Sequence, residues 1–374
     1  MSADSVASLA EFQRWAAQNE EIFRCTVSKW RIAPMLVSQQ PVLRRFWYPV
    51  LPIAHLGTDK PQPFQLLGQK IALWLDGEGK PAAVGDRCCH RSAQLSAGVV
   101  ADGCVRCPYH GWSYNREGTC VNVPQLEGDA IPRTYAVESF QCAERYGYVW
   151  VCLGDPLYPI PDIPEVEDSR FRMIPEFYET WGVGGLRAIE NSFDSAHGNF
   201  VHASSWGDRG NPVPPPIDEI ADTADGFVMK HWVEVLNPDI QKKNLGIETE
   251  KTIRTNERRW LMPFARTLRI QYPNGLVHLI FTAYTPIDDR TVQLVQFCLR
   301  NDTEAEAKAA DIIAFDRQVT QEDRVVLETT DYDAPLSLVE EQHMASDKPG
   351  ILMRHRLAAL LKAHGETEQR RHVL

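Results

Sequence analysis

The chain has 374 residues, of which 44% are hydrophobic and 24% charged, and its formal net charge is -11. This length is too great for one small core and suits two domains. The negative charge argues against nucleic acid or an anionic membrane as a partner. No apolar run reaches the ~20 residues of a membrane-spanning helix, and no signal peptide is visible. Nine cysteines in a chain this long do not resemble a disulfide framework. We therefore expect a soluble protein of the reducing cytoplasm.

Four stretches of the chain differ in pattern. Residues 5–23 have helical periodicity and predict a helical N-terminal extension over residues 1–44, whose role stays open. Short strands and turns from residue 45 to 156 predict a small antiparallel β domain. Within residues 155–176, prolines and acidic residues predict a surface linker. Residues 157–374 form the second predicted domain.

The predicted β domain contains two related Cys/His motifs. Cys88 and His90 form Cys-x-His, and after sixteen residues Cys107 and His110 form Cys-x-x-His. A Rieske [2Fe–2S] cluster needs this set, because two thiolates bind one iron and two imidazoles bind the other. A zinc site also uses two cysteines and two histidines. Zinc fingers, however, pair cysteine with cysteine and histidine with histidine, so the spacing favours the iron–sulfur cluster.

The second domain begins with another motif of metal-binding residues. On a helix, Asn191, Asp194 and His197 share one face. His202 lies five residues beyond His197, roughly 140° around a regular helix. Both imidazoles can bind one ion only if the helix ends or bulges between them, and Gly198 is the predicted position of this break. Two histidines and one carboxylate form the open site of mononuclear iron oxygenases.

A long helical pattern between residues 304 and 330 supplies candidates for this carboxylate. It contains Asp316, Glu322 and Asp323. Most acids on such a helix face solvent, so periodicity alone does not select one. Between the two motifs, five strand-like runs predict an antiparallel sheet: Phe227–Val235, Glu248–Thr255, Thr267–Tyr272, Leu276–Tyr284 and Val292–Leu299.

These motifs resemble those of the Rieske non-haem iron oxygenases, over about residues 45–335. The nearest members are the vanillate, dicamba and caffeine demethylases and the hydroxylases of alkaloid-like toxins. The resemblance implies an α+β chain, in which the Rieske domain precedes a helix-grip (START/Bet v1-like) catalytic domain with an antiparallel sheet around a C-terminal helix. It assigns the [2Fe–2S] cluster and the mononuclear Fe(II) to these ligands: Cys88, His90, Cys107 and His110 for the cluster, and His197, His202 and Asp323 for the iron, with Asp316 as the fallback.

The resemblance also implies how subunits cooperate. In this family, the residue at the position of Asp194 bridges the iron site to a Rieske histidine of the neighbouring subunit. The residue at the position of Asn191 lies close to the iron without being a firm ligand. Electron passage between subunits requires a ring, and the implied ring is a homotrimer. The chain has no Gly-x-Gly-x-x-Gly dinucleotide loop, so a ferredoxin or ferredoxin reductase must supply the electrons.

The expected function is that of a terminal monooxygenase. With O2, it would hydroxylate a C–H bond, or demethylate an O- or N-methyl group, of a small to medium aromatic, heterocyclic or alkaloid-like molecule. The alternative is a Rieske electron-transfer or redox-sensing protein without oxygenase chemistry. Candidates for the wall of the substrate cavity are His278, Phe281, Phe200 and Trp260, and the loop 204–216 is a candidate cover.

Overall fold

A computed structural model describes residues 36–369 except 127, 332–333 and 340. The described chain is α+β, as predicted, with more strand than helix. The predicted helix over residues 5–23 lies outside the described residues. Residues 36–45, which follow it, pack on the C-terminal tail: the Leu36 amide donates to the Gln369 carbonyl oxygen at 2.9 Å, and the Val42 amide donates to Glu366 Oε1 at 2.7 Å.

The first half of the structure contains two antiparallel sheets. A six-stranded sheet has the order β1-β10-β9-β4-β3-β2. Its strands are β1 (Tyr48–Pro52), β2 (Gln62–Leu66), β3 (Gln69–Leu75), β4 (Pro81–Gly85), β9 (Ser139–Arg145) and β10 (Tyr148–Cys152). A four-stranded sheet runs β5-β6-β7-β8. Its strands are β5 (Val99–Ala101), β6 (Cys104–Arg106), β7 (Ser113–Tyr114) and β8 (Cys120–Asn122). The Cys/His motifs therefore occupy the connections from β4 to β5 and from β6 to β7.

The second half is built on one antiparallel sheet of seven strands, in the order β11-β17-β16-β15-β14-β13-β12. The strands are β11 (Arg172–Trp181), β12 (Glu219–Thr223), β13 (Gly226–Leu236), β14 (Lys251–Leu261), β15 (Ala265–Gln271), β16 (Val277–Pro286) and β17 (Val292–Arg300). Each of the five runs predicted from the sequence overlaps one of strands β13 to β17, although the run 248–255 begins three residues before β14. The predicted linker 155–176 overlaps β11, whose residues Arg172–Trp181 pair with β17, so the linker prediction is wrong for its last five residues, which are strand.

Strands β16 and β17 are buried at every residue, because both faces of the sheet are covered at these strands. On one face, Phe281 and Phe297 pack against Trp150 of β10, which joins the two halves of the molecule. On the other face, Ile280 packs with Ile312 of a long helix. Strands covered on both sides have continuous apolar sequences, and such runs were visible in the sequence.

Five α-helices complete the described fold. They are α1 (Gly185–Asn191), α2 (Gly198–Val201), α3 (Asp239–Leu245), α4 (Ala309–Leu327) and α5 (Lys348–Ala363). The helix α4 is the one predicted between residues 304 and 330, and it faces α2 and β11. None of the helices in the described residues is both long and apolar enough to cross a bilayer.

Candidate metal centres and the adjoining cavity

Two tight turns of the same form carry the Cys/His motifs. In the first, the Ser92 amide donates to the Cys88 carbonyl oxygen at 3.0 Å, and in the second the Gly111 amide donates to the Cys107 carbonyl oxygen at 3.1 Å. Ser92 and Gly111 both have a positive φ, 60° and 76°. This conformation is uncommon for a residue other than glycine. Each turn therefore begins at its cysteine and encloses its histidine.

The four side chains of these turns lie together. Cys88 and Cys107 are buried and lie within hydrogen-bonding reach of each other. The ring centroids of His90 and His110 are 4.4 Å apart. Nδ1 of His90 is buried and has no hydrogen-bond partner within the described structure. Two adjacent thiols and two adjacent imidazoles, one with an unpartnered buried nitrogen, fit a Rieske [2Fe–2S] cluster.

Aromatic stacking and one glutamine connect the two turns. The His90 ring stacks on Trp112, with centroids 4.5 Å apart, and Trp112 stacks on Tyr135 at 4.7 Å. Trp112 Nε1 donates to Gln125 Oε1 at 3.1 Å. Gln125 Nε2 in turn donates to the carbonyl oxygen of His110 at 2.9 Å. The two turns are thus linked through side chains that lie outside the ligand motifs.

A second set of ligand atoms converges at one point beside α4. Nε2 of His197 lies 3.5 Å from Oδ1 of Asp323, and Nε2 of His202 lies 3.3 Å from the same oxygen. This Oδ1 atom is buried and has no hydrogen-bond partner in the described chain. Two imidazole nitrogens and one carboxylate oxygen fit the 2-His-1-carboxylate arrangement of non-haem iron.

Each of these imidazoles is also held by a carboxylate on its other nitrogen. Asp194 Oδ2 lies 3.1 Å from His197 Nδ1, and Glu322 Oε2 lies 3.0 Å from His202 Nδ1. Burial lowers the pKa of His202, but the neighbouring carboxylates of Asp323 and Glu322 outweigh it and raise the pKa to about 9. Carboxylates in this position direct Nε2 toward a metal and increase its basicity. The site therefore favours a cation where the three ligand atoms meet.

The local fold of this motif differs from the prediction of one helix broken at Gly198. The helix α1 ends at Asn191, and α2 begins at Gly198. Oδ1 and Oδ2 of Asp194 accept hydrogen bonds from the amides of Ala196 and His197, at 2.7 and 3.2 Å. Such side-chain bonds to the following backbone compete with helix formation. The break thus precedes His197.

Gly198 is required for a different reason than the predicted one. A Cβ atom at this position would lie 2.5 Å from the ring of Trp206. The close approach of Trp206 therefore excludes any larger side chain at the start of α2. His197 and His202 consequently flank a helix of one turn, so that both imidazoles face the same point.

The remaining predicted residues separate into two groups. The Asn191 side chain interacts with the carboxylate of Asp323, so it adjoins the ligand atoms. Asp316, the fallback ligand, lies elsewhere: its Oδ2 is 3.2 Å from Nε2 of His278. Burial and the neighbouring Asp316 carboxylate raise the pKa of Glu176 well above its usual range. Glu176, His278 and Asp316 thus form a buried cluster of their own.

A cavity adjoins the second set of ligand atoms. Its lining includes His197, His202 and Asp323, together with Trp206 and Pro215 of the predicted covering loop. Of the four wall residues predicted from the sequence, His278 does line the cavity. The prediction is wrong for the other three. Phe281 lies on the opposite face of β16 from the cavity residues His278 and Ile280. Trp260 shares a face of β14 with Arg258 but lies beyond the cavity, in the apolar core against Phe227, and Phe200 is 52% exposed.

Three functional features escaped the sequence analysis. From the sequence, Glu322 is only a candidate ligand of the iron, and no local spacing predicts that it contacts His202 instead. The Tyr114 hydroxyl lies 3.1 Å from Cys88 Sγ, but a tyrosine seven residues beyond the second cysteine gives no signal. Arg254 and Arg258 lie four residues apart on the same face of β14, and both line the cavity. Their shared face could have been found if the predicted strand had been extended beyond residue 255.

Comparison with known proteins agrees with this geometry. Residues 46–141 match the model of the Rieske [2Fe-2S] domain. Residues 185–363 match that of the vanillate O-demethylase oxygenase C-terminal domain. The methylxanthine N1-demethylase NdmA of Pseudomonas putida is 30% identical over 341 residues, which cover 88% of this chain and 93% of NdmA. The chain belongs to the Rieske non-haem iron oxygenases. Methylxanthine N3-demethylase NdmB of the same species is 28% identical, and the match covers 91% of this chain and 96% of NdmB.

Solved structures of Rieske oxygenases share the fold. The structure of NdmA with caffeine superposes with a TM-score of 0.78 at 29% identity, and covers 89% of this chain and 95% of NdmA. The structure of dicamba monooxygenase has the same fold, with a TM-score of 0.72 at 22% identity. The match covers 87% of this chain and 99% of the dicamba monooxygenase chain.

Membership in the family establishes the class of chemistry. The chain is an oxidoreductase of the monooxygenase and demethylase type, which uses a Rieske [2Fe–2S] cluster, a mononuclear iron and O2. Its relatives are named for small molecules: NdmA is a methylxanthine demethylase, and TsaM2 of Comamonas testosteroni is a putative iron–sulfur subunit of a toluene-4-sulfonate monooxygenase system. The match of the second half to an oxygenase domain favours this enzyme over a carrier that only transfers electrons.

Proposed function

We propose that the chain is the terminal oxygenase of a cytoplasmic system that inserts one oxygen atom into a C–H bond of a small organic molecule. The other oxygen atom leaves as water, and the reaction consumes two protons and two electrons from a ferredoxin or its reductase. If the carbon is an O- or N-methyl group, the hydroxylated product releases formaldehyde. The observation that carries this proposal is the convergence of His197 Nε2, His202 Nε2 and Asp323 Oδ1 beside a cavity.

The ligand assignment forms part of the proposal. Cys88, His90, Cys107 and His110 would hold the cluster, which supplies single electrons when bound. His197, His202 and Asp323 would hold an iron with open positions for O2. Asp194 and Glu322 orient the two imidazoles, and Asn191 positions the carboxylate of Asp323. The buried wall of the cavity limits the access of water to the bound substrate.

The proposal also divides the chain into a Rieske domain at residues 45–156 and a catalytic domain at residues 157–374. The sheets support this division, because β10 ends at Cys152 and β11 begins at Arg172. Residues 1–44 remain a separate N-terminal extension in this proposal. A reducing cytoplasm suits thiolate ligands of iron.

A homotrimer is the proposed assembly, in which Asp194 bridges its own His197 to the partner subunit's His110. Support comes from a surface cleft that reaches Asp194 and Asn191 from the side of α1 and α5. Beside this cleft, Val325 and Val326 are 69% and 45% exposed. Exposed apolar side chains next to a functional cleft are typical of a protein interface. The Asp194→Asn variant should keep both metals yet slow single-turnover oxidation of the cluster. Unchanged kinetics would contradict the bridging role.

Two matched substitutions on α4 test the iron site. Wild-type protein purified anaerobically and supplied with ferrous iron should contain about three iron atoms per two acid-labile sulfides. Asp323→Asn should lower the ratio to about two to two and abolish turnover, with the visible spectrum of the cluster intact. Asp316→Asn should keep the wild-type ratio. Full iron content in Asp323→Asn, or loss of iron only in Asp316→Asn, would show that the ligand assignment is wrong.

A further inference from the structure

Three arginines line one side of the cavity. Strand β14 alternates between buried and exposed residues, and Arg254 and Arg258 are among the buried ones that line the cavity. Arg266 of β15 pairs with Trp260, while Arg258 pairs with Leu268, so Arg258 and Arg266 are diagonal neighbours on the same face of the sheet. Diagonal neighbours are close enough for long side chains to interact. Two guanidinium groups therefore share one region of the cavity.

These arginines lack the partners that buried charges need. In Arg258 and Arg266, both Nε and Nη1 are buried without a hydrogen-bond partner in the described structure. Arg254 donates from Nη1 to the Tyr272 hydroxyl at 3.2 Å, and its Nε is likewise unpartnered. Burial lowers the pKa of Arg258 to about 9, and the positive charge of the neighbouring Arg266 is the second cause. Uncompensated buried charge is costly, so this arrangement requires an explanation.

Other buried arginines of the same chain follow the ordinary rule. Arg300, which is 1% exposed, forms an ion pair with Asp302 and donates to the carbonyl oxygen of Asn244. Arg354, which is 3% exposed, pairs with both Glu190 and Glu341. The unpaired state is thus a property of the cavity arginines, and it differs from the way this chain compensates buried charge elsewhere.

The acids of the cavity are already engaged. Asp194 lies 3.1 Å from Nδ1 of His197, Asp323 faces His202 at 3.3 Å, and Asp316 lies 3.2 Å from His278. They belong to the metal site and to the separate buried cluster. No acid of the described lining therefore forms an ion pair with Arg258 or Arg266, and their buried N–H donors are left for a ligand.

We propose that the substrate carries an oxyanion, a carboxylate, sulfonate or phosphate, which Arg258 and Arg266 bind while the C–H bond to be oxidised faces the iron ligands. Planar guanidinium groups match such oxyanions through paired hydrogen bonds. Arg254, four residues earlier on the strand and roughly 13 Å away at ~3.3 Å per residue, extends the positive surface toward Tyr272. This inference rests on the proposed function, because it names the class of substrate for that site.

Binding of matched probes to the iron-loaded holoenzyme tests this proposal. Isothermal calorimetry under anaerobic conditions would compare aromatic methoxy-carboxylates, methoxy-sulfonates and methoxyphenyl phosphates with the corresponding neutral primary amides. At least one anion should bind tighter than its amide by 10-fold or more, and the anion series that binds identifies the oxyanion. Equal binding of anions and amides, or no binding of any of the three anions, would overturn the proposal.

The arginine variants localise the effect. Arg258→Gln and Arg266→Gln should each weaken binding of the preferred anion about 10- to 100-fold, the usual effect of losing a charged hydrogen bond. The control is Arg259→Gln, the next residue on β14, whose guanidinium pairs with Asp225 at 2.8 Å. This control should bind the anion as the wild type does. Equal losses in all three variants would refute binding by the cavity arginines.

A stability measurement separates a binding role from a structural one. Arg258→Met removes an unpaired buried charge and should leave the melting temperature of the ligand-free protein unchanged or higher. Arg300→Met breaks a paired buried charge and should lower it. A comparable decrease in both variants would show that Arg258 is structural. Oxygenation of neutral compounds with equal efficiency would refute the inference and leave the proposed function intact, whereas selective anion binding without turnover would refute the function alone.

Discussion

Replacement of Glu322 by glutamine tests whether a carboxylate behind His202 controls iron binding. In the wild type, Oε2 of Glu322 lies 3.0 Å from His202 Nδ1 and accepts a hydrogen bond from Ser205 Oγ at 2.7 Å. Glutamine keeps the size and an acceptor oxygen but removes the negative charge. The imidazole of His202 then becomes a weaker donor to a metal, and the amide has two orientations, one of which presents an N–H to Nδ1.

The size of the effect follows from comparable carboxylate–histidine–metal arrangements. Loss of such a partner typically weakens metal binding 10- to 100-fold, which corresponds to about 1.4–2.7 kcal/mol. Since the pKa of Glu322 is lowered by hydrogen bonds from His202, Ser204 and Ser205 that outweigh its burial, the wild-type group is a carboxylate at neutral pH. The full effect of the lost charge is therefore expected at pH 7.

The assay is anaerobic equilibrium dialysis of ferrous iron against protein whose Rieske cluster is intact, with the visible spectrum of the cluster as the internal standard. Glu328→Gln provides the control, because Glu328 lies just after α4 and binds the Gly182 amide at 3.0 Å, away from the ligand atoms. The control should keep wild-type affinity. If Glu322→Gln also keeps it, packing around the buried His202 orients the ring and the argument for Glu322 is wrong.

Three further substitutions test the cluster, the cavity wall and the core. Tyr114→Phe removes the hydroxyl 3.1 Å from Cys88 Sγ and should lower the midpoint potential of the cluster in voltammetry, because hydrogen bonds to the sulfurs tune it. Burial lowers the pKa of His231 to about 3, and the positive charges of Arg258 and Arg254 add to this effect. Unfolded protein therefore binds a proton below about pH 6.5 that folded protein does not. Wild-type stability should fall as the pH drops from about 6.5 toward 3, by up to about 1.4 kcal/mol per pH unit, and that of His231→Gln should fall less. Arg354→Gln removes the 2.9 Å partner of the partly buried Glu190 and leaves it only Arg187 at 3.7 Å, so it should lower the free energy of unfolding in urea by about 3 kcal/mol.

Exposed residues of the same types provide the controls. Tyr109→Phe changes a tyrosine that is 64% exposed, and the potential should not move. His364→Gln changes an exposed histidine, and the wild-type pH dependence should persist. Arg170→Gln breaks an exposed ion pair with Asp168 and should cost less than about 1 kcal/mol. If a control equals its test variant, the effect does not come from the burial or the contact named for that residue.

Errors in the sequence analysis occurred where two local patterns compete. The spacing of residues 192–197 fits a helix, yet the Asp194 side chain accepts hydrogen bonds from the amides that follow it. The helix α1 therefore ends at Asn191. Pro175 and its acidic neighbours suggested a linker, yet β11 pairs with β17 through this stretch, with a register shift between Pro175 and Phe177. In both places a side-chain contact or a distant strand outweighs the local preference.

The sequence by itself determined the α+β class, the five central strands and the family, because these depend on short-range information. Each Cys/His pair lies within one tight turn, and buried strands produce continuous apolar runs. Only the tertiary structure decided which acid of α4 each histidine faces. Glu322 and His202 are 120 residues apart, and no spacing relates them. It also decided that Arg254 and Arg258 of β14 face the cavity and form no ion pair within the described chain, since the absence of an ion pair depends on every element around them.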